Sequence, residues 1–344
     1  MRILVTGNTG FIGPVMVRLA KEFGHQVTGL DVGYFKDCIP EGQADVPPDH
    51  QIWRDVRDIE VDDLKGVEGI VHLAGLSNDP MGALNPQLTY DINLDATLRL
   101  GRLAKSVGIS RFVFASSCSI YGAAGESAPL DETAPFSPVS AYAISKVRSE
   151  EGLLALADEA FSPVFMRNAT AYGVSPRTRF DLVVNNLAGW AHTAGVINVM
   201  SDGTPWRPLT HIEDISRAAL CALVAPREMV HAEAFNIGRN DANYQVRDIA
   251  GAVKTAFPTA QLKITGENGG DPRSYRVSFD KALNRLPGFE PRWTVEAGVE
   301  EIARFLRNNG LRDHSFDSRL FIRLKQLQHA MDVGQVDSEL RIAA

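Results

Sequence analysis

Cysteine is scarce. Cys38, Cys118 and Cys221 are the only three in 344 residues, too few and too scattered for a disulfide framework or a zinc site. Runs of apolar residues long enough to span a bilayer are absent too, so no membrane segment is expected. The apolar start of the chain runs straight into a glycine-rich loop and reads as a strand, not as a signal peptide. Net positive charge is also lacking. A formal charge of −7 argues against nucleic acid or an anionic membrane as the main partner, although a few arginines and backbone dipoles can still hold an anionic ligand. What remains is an ordinary globular composition, 44% hydrophobic and 22% charged, in a chain long enough for one large or two intimate α/β domains. A soluble, cytoplasmic protein without a metal site is the expectation.

The most informative stretch is the first, Met1 to Gly13, MRILVTGNTGFIG. Arg2–Thr6 is a short β-branched and apolar run that reads as a buried strand. Gly7, Gly10 and Gly13 then turn the chain into a helix expected to begin near Phe11. Glycines suit this turn because a phosphate must approach the backbone closely and a Cβ would block it. The N–H groups and positive end of the helix can hold a pyrophosphate. A second strand, Gln26–Asp31, ends in a carboxylate placed to accept from a ribose 2′-OH, which favours NAD over NADP. Strand, glycine turn, helix and acid together form a strong dinucleotide signal.

Further strands are expected at Gln51–Trp53, Gly69–Leu73, Arg111–Ala115 and Pro163–Arg167, with an amphipathic helix at Gln87–Ser106 and a further helix opened by Arg179–Leu187. Asp55 follows the third strand and could accept from an adenine amino group or simply cap a helix. Small residues at Ala74-Gly75-Leu76 let the backbone lie against a cofactor, and Asn93, inside the helix, could brace the neighbouring loops. The fifth strand ends in Ser116-Ser117-Cys118-Ser119-Ile120-Tyr121-Gly122, at the sheet edge where open α/β folds place their sites. A partner follows in Tyr142-Ala143-Ile144-Ser145-Lys146, whose Tyr and Lys share one helical face. A lysine ammonium beside a phenol favours the phenolate and makes it a usable base.

GNTGFIG, the Asp31 strand end, HLAG, SSCSIYG and YAISK together resemble the extended short-chain dehydrogenase/reductases, in the NAD-dependent nucleotide-sugar epimerase/dehydratase branch. The resemblance covers residues 1 to about 308. It implies an α/β fold: a doubly wound parallel Rossmann sheet in residues 1–170, also receiving part of 208–245, and a smaller mixed α/β substrate domain in 171–315. Residues 316–344 are expected as a helical tail, with a helix at Phe321–Met331 serving packing or assembly. By the same resemblance Ser117, Tyr142 and Lys146 are the catalytic residues. NAD contacts would fall on Gly7, Gly10, Phe11, Ile12, Asp31, Asp55, Val56, Leu73, Ala74, Asn93, Tyr142 and Lys146. A nucleotide-diphosphate sugar would meet Ser117, Cys118, Ser119, Thr170, Asn186, Arg207, Arg273 and Arg276, with Arg207 the best diphosphate ligand because its planar fork suits those oxygens. Epimerases often carry an arginine three residues before Asp271, where this chain has Asn268. His211 is expected to fix a loop rather than to take part in chemistry. A homodimer through helices Gln87–Ser106 and Tyr142–Ala157 is a further implication.

The resemblance implies hydride removal from a sugar carbon, typically C4. A 4,6-dehydratase of this family carries an Asp-Glu pair directly after the catalytic hydroxyl residue, and here that pair is Cys118-Ser119. Oxidation and return requires no such groups, so a nucleotide-sugar 4-epimerase leads. A 4-ketoreductase is the alternative enzyme, and a dinucleotide-sensing protein without turnover is the alternative class.

Overall fold

Ile3, Leu4 and Val5 have no exposed surface, so the strand that carries them needs cover on both faces. A seven-stranded sheet supplies the setting. Its spatial order is Ala234–Ile237, Ser162–Asn168, Arg111–Ser117, Gly69–His72, Arg2–Thr6, Gln26–Asp31 and His50–Trp53, parallel throughout. The computed structural model describes residues 1–77, 85–122, 125–266, 273–311 and 315–342. From Arg2–Thr6 the chain winds outward through two strands, then returns to the other side at Gly69–His72. That reversal opens a crevice at the C-terminal ends of the strands.

One face of the sheet is covered by helices Gly13–Glu22 and Ile212–Val224, through Met16, Leu19, Ile212 and Leu223. The other is covered by the segment from Pro86 to Ser106 and by helix Ala141–Leu154, through Ile92, Leu100 and Leu153. A second core gathers Val184, Ile197, Ile249, Val299 and Ile302 from helices Val183–Thr193, Val246–Ala256 and Val295–Asn308 and the strand Val196–Val199. Thr170–Tyr172, Trp206–His211 and Asn243–Gln245 form a three-stranded sheet beside it. The tail touches both cores. Phe316 and Phe321 join the second, while Leu327, Ala330, Val336 and Leu340 join the Rossmann side.

Several elements differ from the sequence expectation. The first helix starts at Gly13, leaving Phe11 and Ile12 in the turn. The helix of Gln87–Ser106 contains one wider, π-type turn at Asp91–Asp95. The fifth strand runs on through Ser116 and Ser117, and the helix opened by Arg179–Leu187 forms only from Val183. The tail helix is Arg323–Asp332. A parallel pairing of Gly125–Leu130 with Tyr275–Val277 was not anticipated.

Beneath the sheet edge lies a buried ion pair. Arg167 donates to Glu150 at 2.7 and 3.2 Å, and Ser116 Oγ donates to the same carboxylate at 2.5 Å. Arg167 also donates to Tyr121 Oη at 3.1 Å, and Tyr121 in turn donates to Asn236 at 2.8 Å. Three strands and the helix Ala141–Leu154 are thereby fixed in one register. Removing one partner strands a buried charge, which costs about 3–5 kcal/mol. Arg167→Leu is therefore expected to lose about that much unfolding free energy in urea at neutral pH, with most of it recovered in Arg167→Leu/Glu150→Leu. A single variant as stable as the parent would contradict the assignment.

Candidate active site

The crevice holds a cavity of about 470 Å³. At one end is the glycine turn. Gly7 has φ +71°, and a Cβ built there would sit 2.8 Å from the Ala74 nitrogen; one at Gly13 would sit 2.4 Å from the Gly7 oxygen. Both are shorter than real Cβ contacts, so these positions exclude any side chain. Gly7, Gly10, Phe11, Ile12, Leu73 and Ala74 all line the cavity. Asp31 lines it too, and its carboxylate accepts from the backbone N–H of Thr9 at 3.0 Å and of Gly33 at 2.7 Å. Burial pushes the Asp31 pKa up while those two hydrogen bonds pull it down.

Asp55 and Val56 line the same end. Asp55 caps the turn Val56–Asp58 by accepting from Arg57 N at 2.9 Å, and the Arg57 side chain grips both its oxygens at 2.6–3.0 Å. Capping is what the geometry shows for this carboxylate. His72, one strand away, is bonded to Thr6 and Thr97, and burial holds its pKa down to about 3.

Four expected ligand contacts do not face this cavity: Asn93, Cys118, Arg276 and Asn186. The π-type turn swings Asn93 inward, where its amide accepts from Leu76 N at 2.8 Å and donates to Leu76 O at 3.0 Å and Ser145 Oγ at 3.3 Å. Asn93 is thus a buried brace for the turn after the fourth strand, not a cavity wall. Cys118 points into the core and donates to Arg167 O at 3.1 Å, and burial pushes its thiol pKa up. Arg276 stacks on Trp206 at 5.3 Å and does not line the cavity. Asn268 and Asp271 lie outside the described residues.

At the other end of the crevice Ser117, Tyr142 and Lys146 meet on the cavity wall. Ser140 caps the helix through Ala143 N at 3.2 Å, so Tyr142 and Lys146 fall one turn apart on its inward face. Lys146 is buried, donates to Ala115 O at 2.7 Å, and holds its Nζ 4.6 Å from the Phe114 ring centre and 5.7 Å from that of Tyr142. Burial lowers its pKa to about 8, against the opposing pull of Glu150. Ser119 and Asn168 also line the wall, and Ser119 Oγ and Asn168 Oδ1 are buried with no hydrogen-bond partner among the described residues. A buried polar atom without a partner is costly, so these two point to a polar ligand.

Thr170, Arg207 and Arg273 line the same wall. Arg207 also borders a second cavity of about 220 Å³, which contains Asn186 along with Asn198 and Val199. Asn186 therefore lies near Arg207 but beyond the main cavity, and donates to Phe180 O at 2.9 Å. His211 fixes a loop, as anticipated. It bonds Glu301 at 2.9 Å, accepts from Glu213 N at 3.2 Å, and stacks 3.9 Å from Trp293.

Sequence reasoning missed Tyr34, Phe35, Asn168, Arg179 and Arg323 as cavity residues. For Arg179 there was a signal, the Arg177-Thr178-Arg179 stretch after the sixth strand. None existed for Arg323, far along the chain.

The glycine turn with no room for a Cβ, the Asp31 strand end, the apolar walls at Leu73 and Val56 and the buried Ser119 Oγ and Asn168 Oδ1 fit a dinucleotide and a polar substrate in one crevice. The UDP-glucose 4-epimerase of Corynebacterium glutamicum is 28% identical over 334 residues, spanning 92% of this chain and 98% of that protein. The solved structure of MoeE5 in complex with UDP-glucose and NAD superimposes with a TM-score of 0.76 at 26% identity, covering 90% of this chain and 100% of that one. TunA, an NAD-dependent NDP-hexosamine 5,6-dehydratase, superimposes with a TM-score of 0.77 at 26% identity, covering 89% of this chain and 98% of its own. A family model matches residues 3–238, and the chain belongs to the NAD-dependent epimerase/dehydratase family.

Proposed function

We propose that this chain is an NAD-dependent nucleotide-sugar epimerase that works through a 4-keto sugar, most simply by C4 epimerisation. NAD, when bound, supplies the hydride acceptor and donor. The glycine turn, Asp31 and the Leu73-Ala74 wall would hold it, with the reactive end towards Tyr142 and Lys146. Tyr142 takes the proton of the sugar hydroxyl and later returns it. Lys146, its pKa lowered to about 8, still carries its charge at neutral pH and biases the neighbouring phenol towards its anion. Ser117 positions the same sugar oxygen. Arg207, bordering both cavities, suits a diphosphate lying between them, with the nucleoside in the smaller one.

One observation carries the choice of epimerisation. Among the described residues that line the main cavity the carboxylates are Asp31, Asp55 and Asp181, and each is already held: by backbone N–H groups, by Arg57 and by Arg179. Cys118 is turned away. The groups beside the sugar therefore include the Tyr142 phenol, the Lys146 ammonium and hydroxyls, which suffice for oxidation and return, and among the described residues there is no unheld carboxylate to assist loss of water. Relatives named as UDP-glucose and UDP-glucuronate 4-epimerases support the same reading. We also infer a homodimer through the outer faces of the helices ending at Ser106 and Leu154, beside which Val107 and Leu154 are exposed apolar residues.

Incubation with a panel of UDP-sugars, read by product chromatography, is expected to give the C4 epimer with no net consumption of nicotinamide. Tyr142→Phe is expected to lower turnover about 10²- to 10⁴-fold. Turnover unchanged in Tyr142→Phe would remove the acid–base assignment; a dehydrated product, or stoichiometric loss of NADH, would replace epimerisation by dehydration or reduction.

Lys146 gives a separate prediction. The unfolded chain holds that proton up to the ordinary value of 10.5, whereas the folded chain releases it near 8. Between those values the unfolded state binds more protons, so this group makes stability rise with pH. The unfolding free energy of the parent minus that of Lys146→Met is expected to climb from about pH 8 towards pH 10 and to be flat below about pH 7. A flat difference throughout would show that the lysine is not depressed.

A further inference from the structure

Three guanidinium groups are buried together where the tail meets the cavity: Arg177, Arg179 and Arg323. Two are matched. Arg177 pairs with Asp45, and Arg179 pairs with Asp181 at 2.8 Å. Arg323 is 1% exposed, lines the cavity, and among the described residues has no carboxylate within 4.0 Å. Its protein acceptors are carbonyls, Arg177 O at 2.6 Å and Leu320 O at 3.5 Å, and its head lies 4.7 Å from the Phe35 ring centre. An arginine has five N–H donors, so these two leave donors over. Burial and the nearby Arg179 charge pull its pKa down to about 10, against a weaker opposing pull from Asp181, which Arg179 already holds.

The surroundings indicate which anion is missing. Phe35 lies just past the Asp31 strand end, and Arg177 donates to Phe35 O at 3.0 Å and Lys36 O at 3.1 Å. Arg179 reaches Ser77 Oγ at 2.8 Å, just past the Leu73-Ala74 wall. Arg179 and Arg323 thus line the same cavity as the glycine turn, next to the loops that follow the Asp31 and Leu73-Ala74 strand ends, while Arg207 and Arg273 line it near Thr170. The tail is tied to the same loops: Tyr34 donates to Leu340 O, Arg57 to Glu339 O at 2.8 Å, and Gln326 to Tyr34 O at 3.2 Å.

We infer that Arg323, carried in by the C-terminal tail, is a ligand of the dinucleotide pyrophosphate and closes the cofactor site from the side opposite the glycine turn. Arg179 stands beside it as the second cation. A pyrophosphate between the turn's N–H groups and these guanidiniums would neutralise a charge that the folded chain otherwise buries unmatched. The tail then works as a clasp, and release of the dinucleotide requires Arg323 to let go.

This inference rests on the NAD-binding reading, and the test separates the two. Full-length protein stripped of nucleotide is titrated calorimetrically with NAD+, ADP-ribose and UDP, as parent, Arg323→Gln, Arg323→Lys and the tail control Arg319→Gln. Thermal unfolding is followed with and without NAD+. Arg323→Gln is expected to weaken NAD+ and ADP-ribose about tenfold to a hundredfold, with UDP unchanged, Arg323→Lys intermediate and Arg319→Gln like the parent. Without ligand Arg323→Gln is expected to melt no lower than the parent, because an unmatched buried cation has been removed, and to gain less from NAD+. Parent-like NAD+ affinity in Arg323→Gln overturns the inference. So does selective weakening of UDP, which would assign Arg323 to the substrate, and so does a lower melting point with an intact NAD+ gain, which would make it structural. Failure of the parent itself to bind NAD+ would instead overturn the cofactor reading.

Discussion

The whole crevice depends on three pieces of backbone meeting with nothing between them. The first strand delivers Gly7 against Ala74, and the helix start delivers Gly13 against Gly7, at separations that leave no space for a methyl group. Because the glycine turn is seated this way, Asp31 can reach across and tie it to the second strand through Thr9. Asn93 ties the opposite wall, through Leu76, to the helix that carries Tyr142 and Lys146. The two ends of the site are therefore parts of one hydrogen-bonded frame. A shift at the glycine turn would be transmitted to the phenol through Ala74, Leu76, Asn93 and Ser145.

Polarity is distributed with purpose along that frame. Among the described residues the acidic groups that reach the cavity are each engaged, and the thiol beside Ser117 is buried against a carbonyl. What is left facing a ligand is a phenol, an ammonium of lowered pKa, hydroxyls, an amide and guanidiniums. Such a set recognises sugars and phosphates while offering little to chemistry beyond proton and hydride movement.

The glycine turn, the Asp31 strand end and the Ser117, Tyr142 and Lys146 positions were legible because each follows from local spacing: a strand, a turn or one helical face. Cys118 was misplaced, and Asn93, read both as a cofactor contact and as a brace, proved to be the brace, for the opposite reason. Which way each points is decided by a single wide helical turn and by the packing under the fifth strand, and neither leaves a trace in the residue pattern. Arg276 was misplaced because Trp206, its stacking partner, comes from a strand far away in sequence. Arg323 is the extreme case. It enters the cavity only through the path of a tail whose helix, in sequence, reads as packing alone. Likewise Arg179 becomes a wall residue because the helix expected to include it begins at Val183.

The tail sets an order of events for the growing chain. Residues of one stretch, Phe316 to Leu340, complete two separate cores and one wall of the cavity. On the ribosome the glycine turn emerges some three hundred residues before Arg323. The Rossmann sheet can begin to assemble during synthesis, but its cofactor crevice stays open on one side until that stretch has been made. Nucleotide met before then would find a crevice that lacks this wall.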